Sequence, residues 1–178
     1  MSEDPKPTKP ASPWGRRLRG LGVNLLILVL VFSAVQWWKS RPLAAGEAPE
    51  LAGLELDGSR FDLRDLRGEP VLVHFWGTWC PVCRAMDGAI DSVAKDHRVI
   101  SVALQSGGWM EVQQYMRKAE IAFPTITDPE GDIGARWGVV GVPASFIVDA
   151  DGRIADATVG LSSSWGLRLR LWLFGRSG

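Results

Sequence analysis

The chain has 178 residues, and its 20 Lys and Arg side chains are balanced by 20 Asp and Glu side chains. With a sequence pI of about 6.7, it lacks the basic field that holds nucleic acid, so we exclude nucleic acid as a partner. The length is enough for one domain of ordinary size, whose core is large enough to fold without a disulfide.

An apolar run at residues 21–38 predicts a transmembrane anchor. About 18 residues at 1.5 Å each give a helix of about 27 Å, enough for a hydrocarbon core. Trp37 and Trp38 end the run and fit an interfacial aromatic belt. Two alternatives are a cleaved signal peptide, with a weak cleavage-like site at Leu43-Ala44-Ala45, and a buried helix of a soluble domain.

Cations are unevenly spread around this run. Two follow it, Lys39 and Arg41, and five precede it: Lys6, Lys9, Arg16, Arg17 and Arg19. The positive-inside rule therefore places residues 1–20, a Pro- and Lys-rich tail, in the cytoplasm and the rest of the chain outside. We expect residues 39–47 to be a linker and residues 48–178 to be one folded domain.

The folded part alternates strand and helix patterns. A hairpin around Asp57-Gly58 comes first, and residues 71–76 are a nearly continuous apolar run typical of a strand covered on both faces. The later predicted elements are a helix at 84–95, a strand at 99–104, a helix at 109–119, an extended piece at 125–127, a helix at 133–137, a hairpin at 144–159 and a helix at 162–174. This order predicts an α/β domain with a parallel strand pair.

Cys80 and Cys83 are the only cysteines, and they lie where the strand at 71–76 gives way to the next helix. The unpaired N–H groups and the macrodipole at a helix N-terminus stabilise a thiolate. Pro81 suits the first helical turn, where its missing N–H costs nothing. We expect Cys80 to be the exposed attacking sulfur and Cys83, one turn deeper, to be the resolving sulfur.

Other uses of the two cysteines are less well supported. A structural zinc site needs four ligands, but only His97 follows Cys83 at a suitable distance. A haem-attachment motif needs His directly after Cys83, where Arg84 stands. A purely structural disulfide over so short a loop would constrain the unfolded chain little. We favour a redox pair, with no metal and no organic cofactor.

Three segments together resemble the thioredoxin superfamily, in particular its membrane-anchored TlpA/ResA-like and ScsD-like disulfide oxidoreductases. They are residues 68–83, which include the CPVC motif, residues 138–143 and residues 146–152. The resemblance covers nearly all of residues 48–174. It implies a thioredoxin-like three-layer α/β/α fold, with a central mixed sheet and an N-terminal β-hairpin extension. It also implies a bacterial inner-membrane protein with a periplasmic catalytic domain.

The resemblance also implies roles for single residues. Cys80 and Cys83 would form a redox disulfide that exchanges with protein thiols and disulfides. Pro143 would be a cis-proline beside them, whereas spacing alone predicts an ordinary trans loop proline. The Val142 backbone would bind an extended partner strand, and Trp79, Pro81 and Val82 would contact the partner. A membrane electron donor of the DsbD/ScsB type would keep the pair reduced.

His74 and the other tryptophans allow two interpretations each. Relatives commonly carry an acid or Asn where this chain has His74, so the histidine is either a proton acceptor for Cys83 or a core residue with a buried partner. Trp79 is either a partner contact or part of the packing around the turn. We expect packing roles for the remaining tryptophans of the domain, which include Trp109, Trp137, Trp165 and Trp172.

The function predicted from the sequence is therefore thiol–disulfide exchange by an anchored enzyme. The Pro-Val pair between the cysteines is most like the ScsD-like group, which leaves the redox direction open. Two alternatives remain: a thiol reductant dedicated to cytochrome c maturation, and a non-catalytic binding module of thioredoxin fold.

Overall fold

The structure is a computed structural model that describes Asn24, residues 26–31 and residues 44–174. The chain divides into two compact units, residues 1–39 and residues 40–178. In the first unit, Asn24 and residues 26–31 are helical and exposed. Among the described residues, no helix is both long and apolar enough to cross a membrane. Most of the predicted anchor at 21–38, and all of the tail at 1–20, lie outside the described residues.

Residues 44–174 form eight strands and four helices. The strands are β1 (Gly46–Glu47), β2 (Ala52–Leu54), β3 (Arg60–Asp62), β4 (Val71–Trp76), β5 (Arg98–Leu104), β6 (Thr125–Asp128), β7 (Ala144–Val148) and β8 (Arg153–Val159). The helices are α1 (Pro81–Ala94), α2 (Trp109–Ala119), α3 (Asp132–Arg136) and α4 (Ser164–Phe174), and a 3-10 turn spans Leu63–Leu66. Each predicted element of residues 48–174 is present, with small shifts at its ends.

The main sheet has the strand order β1-β8-β7-β4-β5-β6, and β2 pairs with β3 in a separate hairpin. Strands β4, β5 and β6 are parallel, whereas β7, β8 and β1 join by antiparallel pairing. The sheet is therefore mixed, as predicted. Both crossovers, β4 to β5 and β5 to β6, advance in the same direction along the sheet. Right-handed connections then place α1 and α2 on one face.

Alternation along the strands divides the core into two clusters. On one face, Leu72 and Trp76 of β4 pack with buried residues of three helices: Met86 and Ile90 of α1, Val112 of α2, and Leu167 and Leu171 of α4. On the other face, Val73 and Phe75 pack with Phe146 of β7, with Trp137 after α3, and with Leu51 and Leu63. Buried layers on both faces explain why all of β4 is buried.

The sheet begins earlier than the sequence predicted. Gly46 and Glu47, assigned to the 39–47 linker, pair with Ile154 and Arg153 of β8. The Ala44 N–H also donates to the Trp137 carbonyl at 2.9 Å. These contacts use the backbone alone, so no apolar side-chain pattern marks β1 in the sequence.

Strand direction brings four loops to the same end of the strands: the loops after β4, β5 and β8, and the loop before β7. The parallel strands β4 and β5 end there, and antiparallel pairing places the start of β7 and the end of β8 beside them. The Gly160 N–H, after β8, donates to the Pro143 carbonyl at 2.8 Å. The cysteine turn therefore lies beside the segment that leads into β7, although the two are far apart in the sequence.

Candidate active site

Cys80 caps the N-terminus of α1 with its own sulfur. Its backbone is extended, and Pro81 occupies the first helical turn. The Cys83 N–H donates to Cys80 Sγ at 3.1 Å, and the Arg84 N–H donates to the Cys80 carbonyl at 3.2 Å. The sulfur thus takes the place of the side-chain oxygen that usually caps a helix. A donated hydrogen bond at this position favours the anionic form of the sulfur.

Cys80 and Cys83 are joined by a disulfide, with their Cα atoms 5.3 Å apart. Cys83 is fully buried and Cys80 is only 4% exposed. The prediction of an exposed Cys80 is therefore wrong for the oxidised pair. The sulfur is bonded inward to Cys83 and is covered by the Val142 backbone, whose carbonyl oxygen lies 3.7 Å from Cys80 Sγ.

Val142 lies against the disulfide from a distant part of the sequence, and Pro143 follows it. The peptide between them is cis, Pro143 is buried and Val142 is half-buried. While the disulfide is intact, Cys80 has no proton to donate to the Val142 oxygen, so the 3.7 Å approach is a van der Waals contact. In the reduced thiol, the S–H group would have this carbonyl as an acceptor.

Exposed apolar side chains surround the disulfide. Trp79 is 55% exposed and Val82 42%. Trp79 is also anchored, because its Nε1–H donates to the Leu104 carbonyl at 3.1 Å. Its indole lies against Gly77, where a Cβ atom would come within 2.7 Å of the ring. Both interpretations of Trp79 therefore have a structural basis, since one edge packs and the rest faces outward.

Ser106 fixes the loop that precedes the cysteines. Its hydroxyl donates to the Leu104 carbonyl at 3.0 Å and accepts the Thr78 N–H at 3.0 Å. Ser106 was not predicted from the sequence. Ser106 follows the end of β5, at the same sheet edge as the end of β4, and this common position is the signal that could have identified it.

His74 is buried in the middle of β4. It is 1% exposed, and its Nδ1 lies 2.9 Å from the hydroxyl of Ser145, which is opposite it on β7. Burial lowers the pKa of His74 to about 3, so the imidazole is neutral near pH 7. The packing interpretation thus has the buried partner it requires, and the proton-acceptor role stays a prediction.

A carboxyl–phenol pair lies one helical turn beyond Cys83. Asp87 is 7% exposed, and the Tyr115 hydroxyl donates to its Oδ2 at 2.7 Å. Burial raises the pKa of Asp87, although the Tyr115 hydrogen bond and the Arg84 charge oppose the shift. Burial, followed by the hydrogen bond to Asp87, raises the pKa of Tyr115 to about 12. Sequence reasoning did not find this pair, because its members lie on different helices.

No cluster of three or more His, Cys, Asp or Glu side chains suited to a metal ion occurs within residues 44–174 or the described part of the first unit. The residues brought together at this edge are the two cysteines, Trp79, Pro81, Val82, Val142 and Pro143. His74 lies further inside, on the face of the sheet that α1 covers.

Comparison with known proteins extends this description. Residues 44–157 match the AhpC/TSA family. The chain is 35% identical over 159 residues to a thioredoxin-like protein of Haemophilus influenzae, covering 88% of this chain and 95% of that protein. It is 30% identical over 118 residues to the thiol-disulfide oxidoreductase ResA of Bacillus thuringiensis, covering 64% of this chain and 68% of that protein.

A solved structure agrees with these relatives. The crystal structure of a thiol:disulfide interchange protein of the thioredoxin family from Chlorobium tepidum superposes with a TM-score of 0.64 at 25% identity, covering 74% of this chain and 97% of that one. The predicted resemblance to the thioredoxin superfamily is confirmed. The chain belongs to the AhpC/TSA family and is a thiol–disulfide oxidoreductase with a thioredoxin-like fold.

Proposed function

We propose that this protein is a membrane-anchored oxidoreductase that exchanges disulfides with protein partners outside the cytoplasm, through Cys80 and Cys83. The observation that carries the proposal is the position of the Cys80 sulfur, which accepts the Cys83 N–H at 3.1 Å at the start of α1. A Cys80 thiolate in the reduced protein would keep this donor and the favourable end of the macrodipole. It would therefore be the better nucleophile of the two sulfurs.

The exchange has two balanced steps. The Cys80 thiolate attacks one sulfur of a partner disulfide, so that the partner S–S bond breaks, a mixed disulfide forms and the leaving partner thiolate takes a proton. Cys83 then loses its proton and attacks Cys80 Sγ, which releases the second partner thiolate and forms the Cys80–Cys83 disulfide. The second partner thiolate also takes a proton, so the partner gains two electrons and two protons. The enzyme loses the two electrons, the Cys83 proton and the proton that Cys80 gave up when its thiolate formed. Run in reverse, the same steps insert a disulfide.

The surface around Cys80 suits an extended, uncharged partner segment. Trp79 and Val82 are exposed on the cysteine side, and the Val142 carbonyl lies 3.7 Å from Cys80 Sγ on the other side. A partner backbone that paired with Val142, as in the addition of an edge strand, would bring its own cystine to Cys80. Pro81 is exposed in the same turn and would also face the partner.

The resolving step needs an acceptor for the Cys83 proton, and His74 is the residue that the sequence nominates. Its neutral imidazole is free to accept a proton. However, burial that lowers its pKa to about 3 makes it a weak base. His74 would be a competent acceptor only if its pKa rises in the mixed disulfide or the reduced state, and release of a trapped mixed disulfide from His74→Gln tests this role.

The proposal includes a membrane anchor and the orientation of the chain across the membrane. The apolar run at 21–38 and the excess of cations before it support a single pass across the bacterial inner membrane, with residues 1–20 in the cytoplasm and the catalytic domain in the periplasm. Disulfides are stable in that compartment. A membrane electron donor of the DsbD/ScsB type would keep the pair reduced.

Trapping of the mixed disulfide tests the proposal. In a Cys83→Ala variant, a partner captured by Cys80 cannot be released, so we expect covalent adducts that dithiothreitol removes. The matched control is Cys80→Ala, which keeps only the fully buried Cys83 and should capture no partner. Equal capture by the two variants, or capture by neither, would contradict the assignment of Cys80 as nucleophile. Titration of the pair against glutathione then gives the redox direction.

A further inference from the structure

The last helix, α4, exposes apolar side chains along its outer face. Trp165, Leu169, Trp172 and Leu173 follow the i, i+4, i+7, i+8 spacing of one helical stripe, and they are 72%, 38%, 60% and 50% exposed. We call these four residues the outer stripe. The opposite face of α4 is apolar as well and is buried through Leu167 and Leu171. The expectation that Trp165 and Trp172 serve packing is therefore wrong.

The charged residues of α4 are turned away from the outer stripe. Arg168 donates to both carboxylate oxygens of Asp96 at 3.0 Å and to the Ser92 carbonyl at 2.8 Å. The Arg170 guanidinium pairs with Asp156 at 2.8 Å. Surface helices of soluble domains usually present polar residues outward. An outward face with two tryptophans and two leucines, and with its arginines bound elsewhere, is instead typical of a contact surface.

The position of α4 in the fold indicates what covers the outer stripe. The helix packs on β7, β8 and α1. Strand β1 lies next to β8 and is the outermost strand on that side of the sheet. The chain enters the domain at β1, because Gly46 is the first residue of the sheet. Eight residue steps separate Trp38, at the end of the apolar run, from Gly46, and a fully extended chain of that length spans at most about 28 Å. A membrane that holds residues 21–38 is therefore within reach of this edge.

We infer that the outer stripe rests on the surface of the lipid bilayer that holds residues 21–38. The inference depends on the anchoring proposed above. Tryptophan favours the headgroup level and leucine the acyl boundary. The short tether raises the effective concentration of bilayer around α4, so that even weak apolar contacts would be occupied. The contact would fix the orientation of the domain relative to the bilayer.

Quenching by brominated lipids tests this contact. The full chain is reconstituted in vesicles of phosphatidylcholine and phosphatidylglycerol whose acyl chains carry bromine, which quenches tryptophan emission on contact. If Trp172 touches the bilayer, the emission that Trp172→Phe loses relative to the wild type should be emission that brominated lipid quenches. The matched control is Trp109→Phe, which changes a 46% exposed tryptophan on α2, over the opposite edge of the sheet. The emission that Trp109→Phe loses relative to the wild type should be emission that brominated lipid does not quench.

Three results would overturn the inference. Trp172 emission that iodide in the water quenches, but brominated lipid does not, would show the outer stripe facing solvent. Protection from both quenchers, together with a dimer in detergent, would assign the stripe to a second copy of the chain. If alkaline carbonate released the chain from vesicles, both the anchoring proposal and this inference would be wrong. Trp172→Phe should reduce insulin at the wild-type rate whichever of these results is found. The insulin assay therefore tests the exchange proposal separately from the membrane contact.

Discussion

The two faces of the central sheet bury different kinds of side chain. Beneath α1, a polar row crosses the strands: His74 meets Ser145 at 2.9 Å, and Ser101 meets Thr125 at 2.8 Å. The Trp76 Nε1–H donates to the same Ser101 hydroxyl at 3.0 Å. The disulfide packs on this face as well.

The opposite face has an aromatic cluster at its centre. Phe75, Trp137 and Phe146 meet with ring centroids 5.0 to 5.6 Å apart, in tilted and edge-on arrangements. Polar groups are tolerated beneath α1 because each has a partner in register on a neighbouring strand. The polar row therefore lies on the same face as the reacting sulfurs, whereas the opposite face is built around the aromatic cluster.

The largest effect is expected on the aromatic face. Phe146→Ala should lower the free energy of unfolding by about 3–5 kcal/mol, because it removes a fully buried ring from contact with Phe75 and Trp137. Urea denaturation of the oxidised protein measures the loss. Phe146→Leu is the control and should lose markedly less. The rate of insulin reduction by the folded fraction should stay unchanged, and a large fall in that rate would remove the distinction between the two faces.

The second-largest effect is expected on the polar face, where burial of His74 makes the stability of the protein fall in acid. His74 has a pKa of about 3 in the folded protein, against 6.5 as its ordinary value, so below pH 6.5 the unfolded chain takes up a proton that the folded chain does not. Its stability contribution is complete above pH 6.5 and falls by about 1.4 kcal/mol per pH unit below it. Between pH 6.5 and 5, the wild type should therefore lose about 2 kcal/mol relative to His74→Gln.

Parallel slopes for wild type and His74→Gln would contradict the buried neutral state. The same variant tests catalysis: if a trapped mixed disulfide is released at equal rates from wild type and His74→Gln across pH 5 to 8, His74 is not the proton acceptor for Cys83.

The smallest effect concerns the carboxyl–phenol pair. Tyr115→Phe leaves Asp87 without its 2.7 Å donor and should cost about 1 kcal/mol of unfolding free energy at pH 7. Burial raises the pKa of Asp87, and loss of the phenol should raise it further. In an Asp87→Asn background, the same change should cost less, because no carboxylate then depends on the hydroxyl. Strictly additive losses in this double-mutant cycle would show that the two groups are not coupled.

Local signals were enough to predict the elements that build the site. The apolar run of β4, the spacing of α2 and the two cysteines at a strand–helix junction all appear in short windows of sequence. The contacts that complete the site could not be predicted this way. Ser145 is 71 positions from His74, and the Val142 carbonyl that covers Cys80 is 62 positions away. Only the folded topology brings such pairs together.

The helix at the C-terminus shows a different limit. Its presence was predicted, but Leu or Trp occupies both of its faces, so the pattern does not indicate which one is buried. Strand β1 was not predicted at all, because two residues with backbone pairing carry no periodic signal.

The Arg168 contacts have a practical consequence for protein engineering. Arg168 binds Asp96 and the Ser92 carbonyl, which fastens the far end of α1 to the last helix of the chain. The turn that bears the cysteines sits at the other end of α1. Truncating the chain before residue 164 would therefore release the redox helix from its support, so that shortened expression versions should retain α4 in full.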